Sequence, residues 1–151
     1  MVIKMTCSVA MCTYNGEKYI TDQLRSIINQ STQPDELIIC DDNSSDKTVE
    51  RIKCILGSWD KPWHIYINKQ NLGYRKNFQK AISLCKGDII FLSDQDDVWQ
   101  KDKITIMMKA FQDNPHVLLA FHDAEITDAQ LNCIGGEYRF GRSYNLIQRS
   151  L

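Results

Sequence analysis

The stretch DIIFLSDQDDVW, residues 88–99, joins an apolar run to a cluster of acids. Four consecutive apolar residues, Ile89–Leu92, are followed almost at once by Asp94, Asp96 and Asp97. Carboxylates this close together repel one another, and partial burial strengthens the repulsion. The pattern predicts a buried strand whose far end either binds a cation or caps the next helix.

Length and composition indicate one ordinary globular domain. The chain has 151 residues, of which 43% are hydrophobic and 25% charged, and its formal net charge is -1. Because it carries no excess of positive charge, we expect no nucleic-acid partner. No apolar run approaches the roughly 20 residues of a membrane-spanning helix, and the first residues lack a secretory signal, so we expect a cytoplasmic protein. The six cysteines form no C-x-x-C pair, which favours reduced core residues over a zinc site.

Strands and helices alternate along the chain. Apolar, β-prone runs predict strands at Cys7–Thr13, Glu36–Cys40, Trp63–Asn68, Asp88–Ser93 and His116–His122. Apolar residues at helical spacing predict a helix in each gap between them. This βαβαβαβαβ order is typical of the α/β class, with a mostly parallel sheet and helices on both faces. In the polar segment that follows, NCIGG (132–136) predicts a turn.

Polar residues follow four of the predicted strands. They are Thr13–Asn15, Asp41–Asp42, Asp94–Asp97 and His122–Asp123. Because the carboxyl ends of parallel strands lie at one edge of the sheet, and such sheets bind ligands there, we expect these residues to lie along one edge.

Asp94 and Asp96 are two residues apart and form a D-x-D pair. Mg²⁺ is usually held by one or two carboxylates together with substrate phosphates, so a cation could relieve the repulsion and carry a diphosphate. The simpler alternative is that the acids cap the helix that begins near Lys101, although one acid is enough for that purpose.

A second enzymatic alternative comes from the same residues. DQDDV (94–98) fits the D-x-D-x-[TV] pattern of aspartate-nucleophile phosphatases. In that case Asp94 would attack phosphorus and Asp96 would act as general acid and base. Against this interpretation, that pattern normally opens its domain, whereas here it follows the fourth predicted strand.

Three linked stretches resemble the nucleotide-binding half of family 2 glycosyltransferases. They are VAMCTYNGEKYITDQLRSIINQSTQPDELIICDDNSSDKT (9–48), NLGYRKNFQKAI (71–82) and GDIIFLSDQDDVWQKDKI (87–104), in the order of that family. The similarity is closest to bacterial rhamnosyltransferase-like enzymes that make cell-surface polysaccharides. It implies a Rossmann-like, A-type glycosyltransferase fold.

The resemblance also implies a set of nucleotide-binding residues at the strand ends and at the start of the third helix. They are Thr13, Tyr14, Asn15, Asp41, Asp42, Arg75 and Asp94. Asp41 would accept a hydrogen bond from the base, and Asp94 would contact the ribose. Judged from the residues alone, Asp41 and Asp42 could instead cap a helix, and Arg75 and Lys76 could be solvated charges at a helix start.

For the reaction, the resemblance implies transfer of a sugar from a nucleotide diphosphate donor, dTDP-rhamnose or a UDP-sugar, with inversion. The acceptor would be a saccharide or a lipid-linked saccharide. Asp96 would bind Mg²⁺ or Mn²⁺, with Asp97 as a second ligand. Asp123 is the candidate catalytic base, although a strand-end acid that starts a turn is an equally simple explanation.

Similar enzymes continue well beyond the point where this sequence stops. We therefore expect residues 1–151 to be a single family 2 domain that is truncated at its carboxyl end and lacks the acceptor-binding part. A donor-binding fragment without transferase activity is the alternative function. A lipid-linked acceptor would be met by a peripheral protein at the inner face of the membrane. A shortened sheet exposes an edge, which would permit a homo-oligomer.

Overall fold

The computed structural model describes residues 5–128, 130–138 and 147–148. The chain forms two compact units, Met1–Met108 and Lys109–Leu151. The first unit contains β1 (Cys7–Thr13), α1 (Ile20–Ile28), β2 (Glu36–Asp41), α2 (Thr48–Leu56), β3 (Trp63–Ile67), α3 (Tyr74–Leu84) and β4 (Ile89–Ser93). The division falls within the next helix, α4 (Lys103–Asp113).

The first four strands form one parallel sheet in the order β3-β2-β1-β4. The predicted α/β fold is therefore confirmed. Right-handed crossovers place α1 and α2 on one face of the sheet and α3 on the other, because the chain reverses direction across the sheet after β3. The strand order reverses between β1 and β4, and doubly wound sheets bind their ligands at such a point.

The core lies on both faces of this sheet. α1 and α2 contribute fully buried apolar side chains, among them Leu24, Ile27 and Ile52. On the opposite face, Ala81 of α3 packs with a cluster that includes Cys12. Small side chains there let the helix approach the strands closely, and continuous apolar runs are typical of parallel strands that are covered on both faces.

All six cysteines are free. Cys7, Cys12 and Cys40 are buried, as predicted, whereas Cys54 and Cys133 are exposed, so a core position for every cysteine was wrong. Burial raises the pKa of the Cys12 and Cys40 thiols, and the same effect acts on Cys85. These thiols stay protonated near neutral pH, which makes them poor nucleophiles.

The second unit contains β5 (Val117–Leu119), β6 (Ala124–Thr127), β7 (Cys133–Tyr138) and β8 (Ile147–Gln148). β5 pairs antiparallel with β8, and β6 pairs antiparallel with β7. The prediction of a fifth parallel strand at His116–His122 is therefore wrong, because β5 is shorter and finds its partner elsewhere.

The turn predicted at NCIGG is also wrong, since Cys133 begins a strand. The turn lies earlier, where the Asp128 side chain accepts hydrogen bonds from the main-chain N–H groups of Gln130 and Asn132 (both 2.9 Å). Across the described ranges, no helix combines the length and the apolar character that crossing a membrane requires.

Candidate active site

The side chain of Gln95 joins the ends of β1 and β4. Its Oε1 accepts a hydrogen bond from the main-chain N–H of Tyr14 (2.8 Å), and its Nε2 donates to the Tyr14 carbonyl oxygen (3.0 Å). Gln95 lies between Asp94 and Asp96 in the sequence, so Tyr14 and the acids occupy the same edge of the sheet. Sequence reasoning missed Gln95, because nothing local indicates which main chain its amide will contact.

The three acids after β4 are exposed. Among the described residues, none donates a hydrogen bond to the carboxylates of Asp94, Asp96 or Asp97. They do not cap α4 either, since the N–H of Ile104 in its first turn donates to Oε1 of Gln30 (3.0 Å). The capping alternative is therefore wrong for this helix, and the acids are available to a ligand.

The electrostatics of this edge favour a positively charged ligand. Although Asp94 is exposed by surface area, the surrounding protein partly desolvates its carboxyl and raises its pKa above the usual range, and the charges of Asp96 and Asp97 raise it further. Nearby, burial lowers the pKa of Lys103 to about 8, while the charge of Asp97 acts in the opposite direction. The Lys103 Nζ lies 3.9 Å from the centroid of the Trp99 ring.

A cation would have to take most of its ligands from elsewhere. In the part of the chain that the structure describes, no three His, Cys, Asp or Glu side chains gather into a metal cage. Mg²⁺ and Mn²⁺ fit this arrangement, because they favour carboxylate, phosphate and water oxygens, and Mg²⁺ needs only one or two protein carboxylates. Asp96 and Asp97 provide that chemistry, and their role as metal ligands stays a prediction.

The loops after β1 and β2 are held together by side chains predicted to bind nucleotide. Asp41 is fully buried, and its carboxylate accepts hydrogen bonds from the Thr13 hydroxyl (2.7 Å) and from the Ser44 N–H and hydroxyl (2.8 and 2.6 Å). The Asn15 Oδ1 accepts from the N–H of Ser45 (2.9 Å). These residues shape the site, and their direct contact with nucleotide stays a prediction.

Asp42 is also buried, and it organises a different loop. Its carboxylate accepts hydrogen bonds from the Asn68 amide (2.7 Å) and from the main-chain N–H groups of Leu72 (2.7 Å) and Gly73 (2.9 Å). Neither Asp41 nor Asp42 caps α2, because the N–H of Thr48 donates to Asp46 (3.0 Å). The carboxylate of Asp42 thereby fixes the segment that leads into α3.

Two asparagines and a lysine extend this network. The Asn68 amide also donates to Oδ1 of Asn77 (2.9 Å), and Lys80 Nζ donates to Oδ1 of Asn68 (2.7 Å). The Asn77 amide donates to the carbonyl oxygen of Cys40 at the end of β2 (2.7 Å). Sequence reasoning missed these residues, although an asparagine on the inner face of an amphipathic helix was a usable signal.

Arg75 lies at the exposed start of α3. Its Nε donates to the Tyr74 hydroxyl (3.0 Å), and its guanidinium carbon lies 5.7 Å from the centroid of that ring. Tyr74 is 69% exposed, and Lys76 is exposed as well. The Asp42 network therefore presents a cation and an aromatic ring directly after Gly73, and a contact between Arg75 and nucleotide stays a prediction.

Asp123 lies in the second unit, immediately before β6, and is exposed. The Nδ1 atom of His122 lies 2.8 Å from the carbonyl oxygen of Asp123. Since β5 is not part of the four-stranded sheet, Asp123 does not follow one of its strands as expected. Its role as catalytic base stays a prediction.

The model of the family described as Glycosyl transferase family 2 matches residues 8–132. The chain belongs to this family. The resemblance found in the sequence is confirmed, and the phosphatase interpretation of DQDDV loses its support.

Relatives of this family 2 chain come from several bacteria. An uncharacterised glycosyltransferase of Haemophilus influenzae is 30% identical over 135 residues, covering 89% of this chain and 42% of that protein. The dTDP-rhamnosyl transferase RfbG of Shigella flexneri is 41% identical over 99 residues, covering 62% of this chain and 34% of that protein. The abequosyltransferase RfbV of Salmonella typhimurium is 33% identical over 105 residues, covering 68% of this chain and 32% of that protein. The chain thus spans less than half the length of these curated relatives.

Solved structures share the fold. S. aureus TarS (residues 1–349) in complex with UDP superposes with a TM-score of 0.66 at 22% identity, covering 82% of this chain and 42% of that one. The mannosyltransferase PcManGT from Pyrobaculum calidifontis, in complex with GDP-Man and Mn2+, gives a TM-score of 0.69 at 19% identity. The match covers 84% of this chain and 37% of that one. These likenesses concern the fold alone and agree with the predicted A-type glycosyltransferase fold.

Proposed function

We propose that this chain binds a nucleotide diphosphate sugar at the carboxyl edge of its parallel sheet. The protein to which it belongs transfers that sugar to a saccharide or a lipid-linked saccharide. One observation carries the proposal. Three exposed acids follow β4 without capping a helix, and Gln95, which lies among them, is hydrogen-bonded to the main chain of Tyr14.

Each part of the donor has a counterpart at this edge. The Tyr14 side chain is 49% exposed and offers a face on which a base can stack. Asp94 is suited to the ribose hydroxyls, and Arg75 offers a positive charge to the phosphates. Asp96 and Asp97 would hold Mg²⁺ or Mn²⁺, which when bound stabilises the negative charge on the departing diphosphate.

The relatives support two classes of donor. RfbG, named as a dTDP-rhamnosyl transferase, supports a dTDP-sugar, and TarS in complex with UDP supports a UDP-sugar. PcManGT in complex with GDP-Man and Mn2+ supports the need for a divalent cation. We propose dTDP-rhamnose or a UDP-sugar as donor, and GDP serves as the comparison nucleotide.

For the chemical step, the acceptor hydroxyl attacks the anomeric carbon while the bond to the nucleoside diphosphate breaks, which inverts the configuration. Asp123 is the candidate base that takes the proton of that hydroxyl. Its exposed position is compatible with reaching an acceptor. A lipid-linked acceptor would be met at the inner face of the membrane by a cytoplasmic, peripheral protein.

Isothermal titration calorimetry tests the donor site. UDP, dTDP and GDP are titrated into the chain with and without Mn²⁺. We expect UDP or dTDP to bind more tightly with the cation, and Asp96→Ala to abolish the gain from the cation. Asp60→Ala is the matched control, because Asp60 is an exposed acid before β3, at the amino ends of the strands. The site is wrong if neither nucleotide binds, or if Asp96→Ala binds as well as the unsubstituted chain.

A further inference from the structure

We propose that Gln95 is a positioning residue that fixes the Tyr14 main chain relative to Asp94 and Asp96, so that the base-binding and carboxylate parts of the site act as one unit. This inference rests on the proposed function and deepens it. Gln95 itself need not touch the nucleotide. Its effect on nucleotide binding would come from the position in which it holds the Tyr14 ring.

The Gln95 amide continues the sheet beyond its last strand pair. The β1–β4 ladder ends where Met11 is paired with Ser93. Beyond it, the Tyr14 main chain has both its donor and its acceptor satisfied by the one amide, at 2.8 and 3.0 Å. A carboxamide carries a donor and an acceptor on the same planar group, which suits it to this pair of bonds, whereas an ionised carboxylate has no donor for the Tyr14 carbonyl oxygen.

Gly16 leaves the space that this amide occupies. A Cβ atom added to Gly16 would overlap Oε1 and Cδ of Gln95, and no other atoms lie as near. The backbone of Gly16 is not in the left-handed region, so alanine is sterically allowed by the chain itself. Gly16→Ala therefore displaces the end of a flexible side chain and leaves the backbone intact.

The hydrogen bonds of Gln95 also constrain the two neighbouring acids. Because Gln95 lies between Asp94 and Asp96, fixing its side chain also fixes the segment that carries both acids. Among the described residues, no partner donates a hydrogen bond to either carboxylate, so the amide is a principal constraint on where they stand. Loss of the amide should loosen Tyr14 and the acids together.

A double-mutant cycle tests the inference. The dissociation constant of UDP or dTDP with Mn²⁺ is measured by calorimetry for the unsubstituted chain, Gln95→Ala, Tyr14→Ala and the double variant. Since two hydrogen bonds are lost, we expect Gln95→Ala alone to weaken binding about tenfold. In the Tyr14→Ala background the same change should weaken binding only about threefold, because the ring that Gln95 positions is gone and only its effect on the acids remains.

Two further variants separate positioning from general damage. Gly16→Ala keeps the Gln95 side chain but displaces it, and should weaken binding about as much as Gln95→Ala. Gln33→Ala is the matched control, because Gln33 is exposed and its amide donates to the carbonyl oxygen of Ile28 (2.9 Å), away from the site. Amide hydrogen exchange of the Tyr14 N–H should accelerate in Gln95→Ala and Gly16→Ala but not in Gln33→Ala.

The outcomes are distinguishable. Coupling between Gln95 and Tyr14, with loss of Tyr14 protection in both displaced variants, supports the inference. Equal losses from Gln95→Ala with and without the Tyr14 ring would overturn it and leave the proposed function standing. Failure of the unsubstituted chain to bind any nucleotide would overturn both. If Gln95→Ala does not fold, Gly16→Ala replaces it in the cycle.

Discussion

Asp42 accepts a hydrogen bond of 2.9 Å from the main-chain N–H of Gly73, across a separation of 31 residues. The bond joins the end of β2 to the loop before α3, where Gly73 has a positive φ of 80°. Residues other than glycine rarely adopt that conformation, so the loop depends on glycine and on the carboxylate together. An acid that the family resemblance assigns to nucleotide binding thus also determines where α3 begins.

Asp42→Asn should destabilise the fold and weaken nucleotide binding. One carboxylate oxygen of Asp42 accepts from Gly73, and the other accepts from Leu72 and Asn68. In asparagine an NH₂ group, which cannot accept, replaces one of these two oxygens. Leaving such buried groups unpaired costs about 1–3 kcal/mol. Urea unfolding should therefore give a lower free energy of unfolding. Asp60→Asn, at an exposed position, should stay within about 0.5 kcal/mol of the unsubstituted chain.

Asp94→Asn should have opposite effects on stability and on binding. Because the folded-state pKa of Asp94 is raised, the folded chain keeps this proton to a higher pH than the unfolded chain does. The contribution of Asp94 to stability is therefore fully present below the unfolded pKa and is lost as pH rises through the folded pKa. At pH 7 the variant should have the higher melting temperature, and it should bind UDP or dTDP with Mn²⁺ more weakly.

The pH dependence provides the control for Asp94→Asn. The gain in melting temperature should shrink as pH falls, and should be lost below about 3.9, the ordinary pKa of aspartate, where the acid becomes protonated in both states. Asp60→Asn is the matched control for the substitution itself, because Asp60 is an exposed acid outside the cluster. A variant that is less stable than the unsubstituted chain at pH 7 would contradict the proposed repulsion.

Lys103→Met should be most stabilising below pH 8. Burial lowers the folded-state pKa of Lys103 to about 8, whereas the pKa of an exposed lysine is about 10.4. The folded chain therefore carries the charge at a cost at neutral pH, and that cost disappears as pH rises through this interval. Thermal unfolding between pH 7 and 10 should show the advantage of the variant shrinking. A constant difference across this range would mean that Lys103 has an ordinary pKa.

The sequence was sufficient to predict the four parallel strands, because each is a run of apolar residues interrupted by turn signals. It failed in the second unit, where the decisive interactions are not local. β5 pairs with Ile147–Gln148, and nothing near Val117 indicates that partner. The two glycines of NCIGG suggested a turn, yet Gly135 lies within β7 with a positive φ of 92°.

The candidate site shows the same limit. The acids Asp94, Asp96 and Asp97 could be found because their spacing is visible in the chain. The residues that arrange them could not, because Gln95 contacts Tyr14 across 81 residues and Asn77 contacts Cys40 across 37. A polar side chain that bonds to a distant main chain has no periodicity and no composition signal, so only the folded structure identifies it.

Asp123→Asn should separate catalysis from donor binding. If Asp123 is the base, its loss removes proton transfer from the acceptor hydroxyl, which typically contributes about 10²- to 10⁴-fold to rate. Transfer of labelled sugar from dTDP-rhamnose or a UDP-sugar to cell-envelope extracts should fall by that factor in the protein containing this chain. The dissociation constant of the nucleotide with Mn²⁺ should stay within about twofold of its original value, a difference of less than about 0.5 kcal/mol.

Asp128→Asn is the matched control, with the same chemical change in the same unit. Asp128 is engaged in the β6–β7 turn, where hydrogen bonds from the Asn132 side chain and main chain lower its pKa. Its substitution should leave the rate of transfer within about twofold of its original value, whereas Asp123→Asn should lower it by the factor given above. Transfer at the original rate by Asp123→Asn would exclude Asp123 as the base.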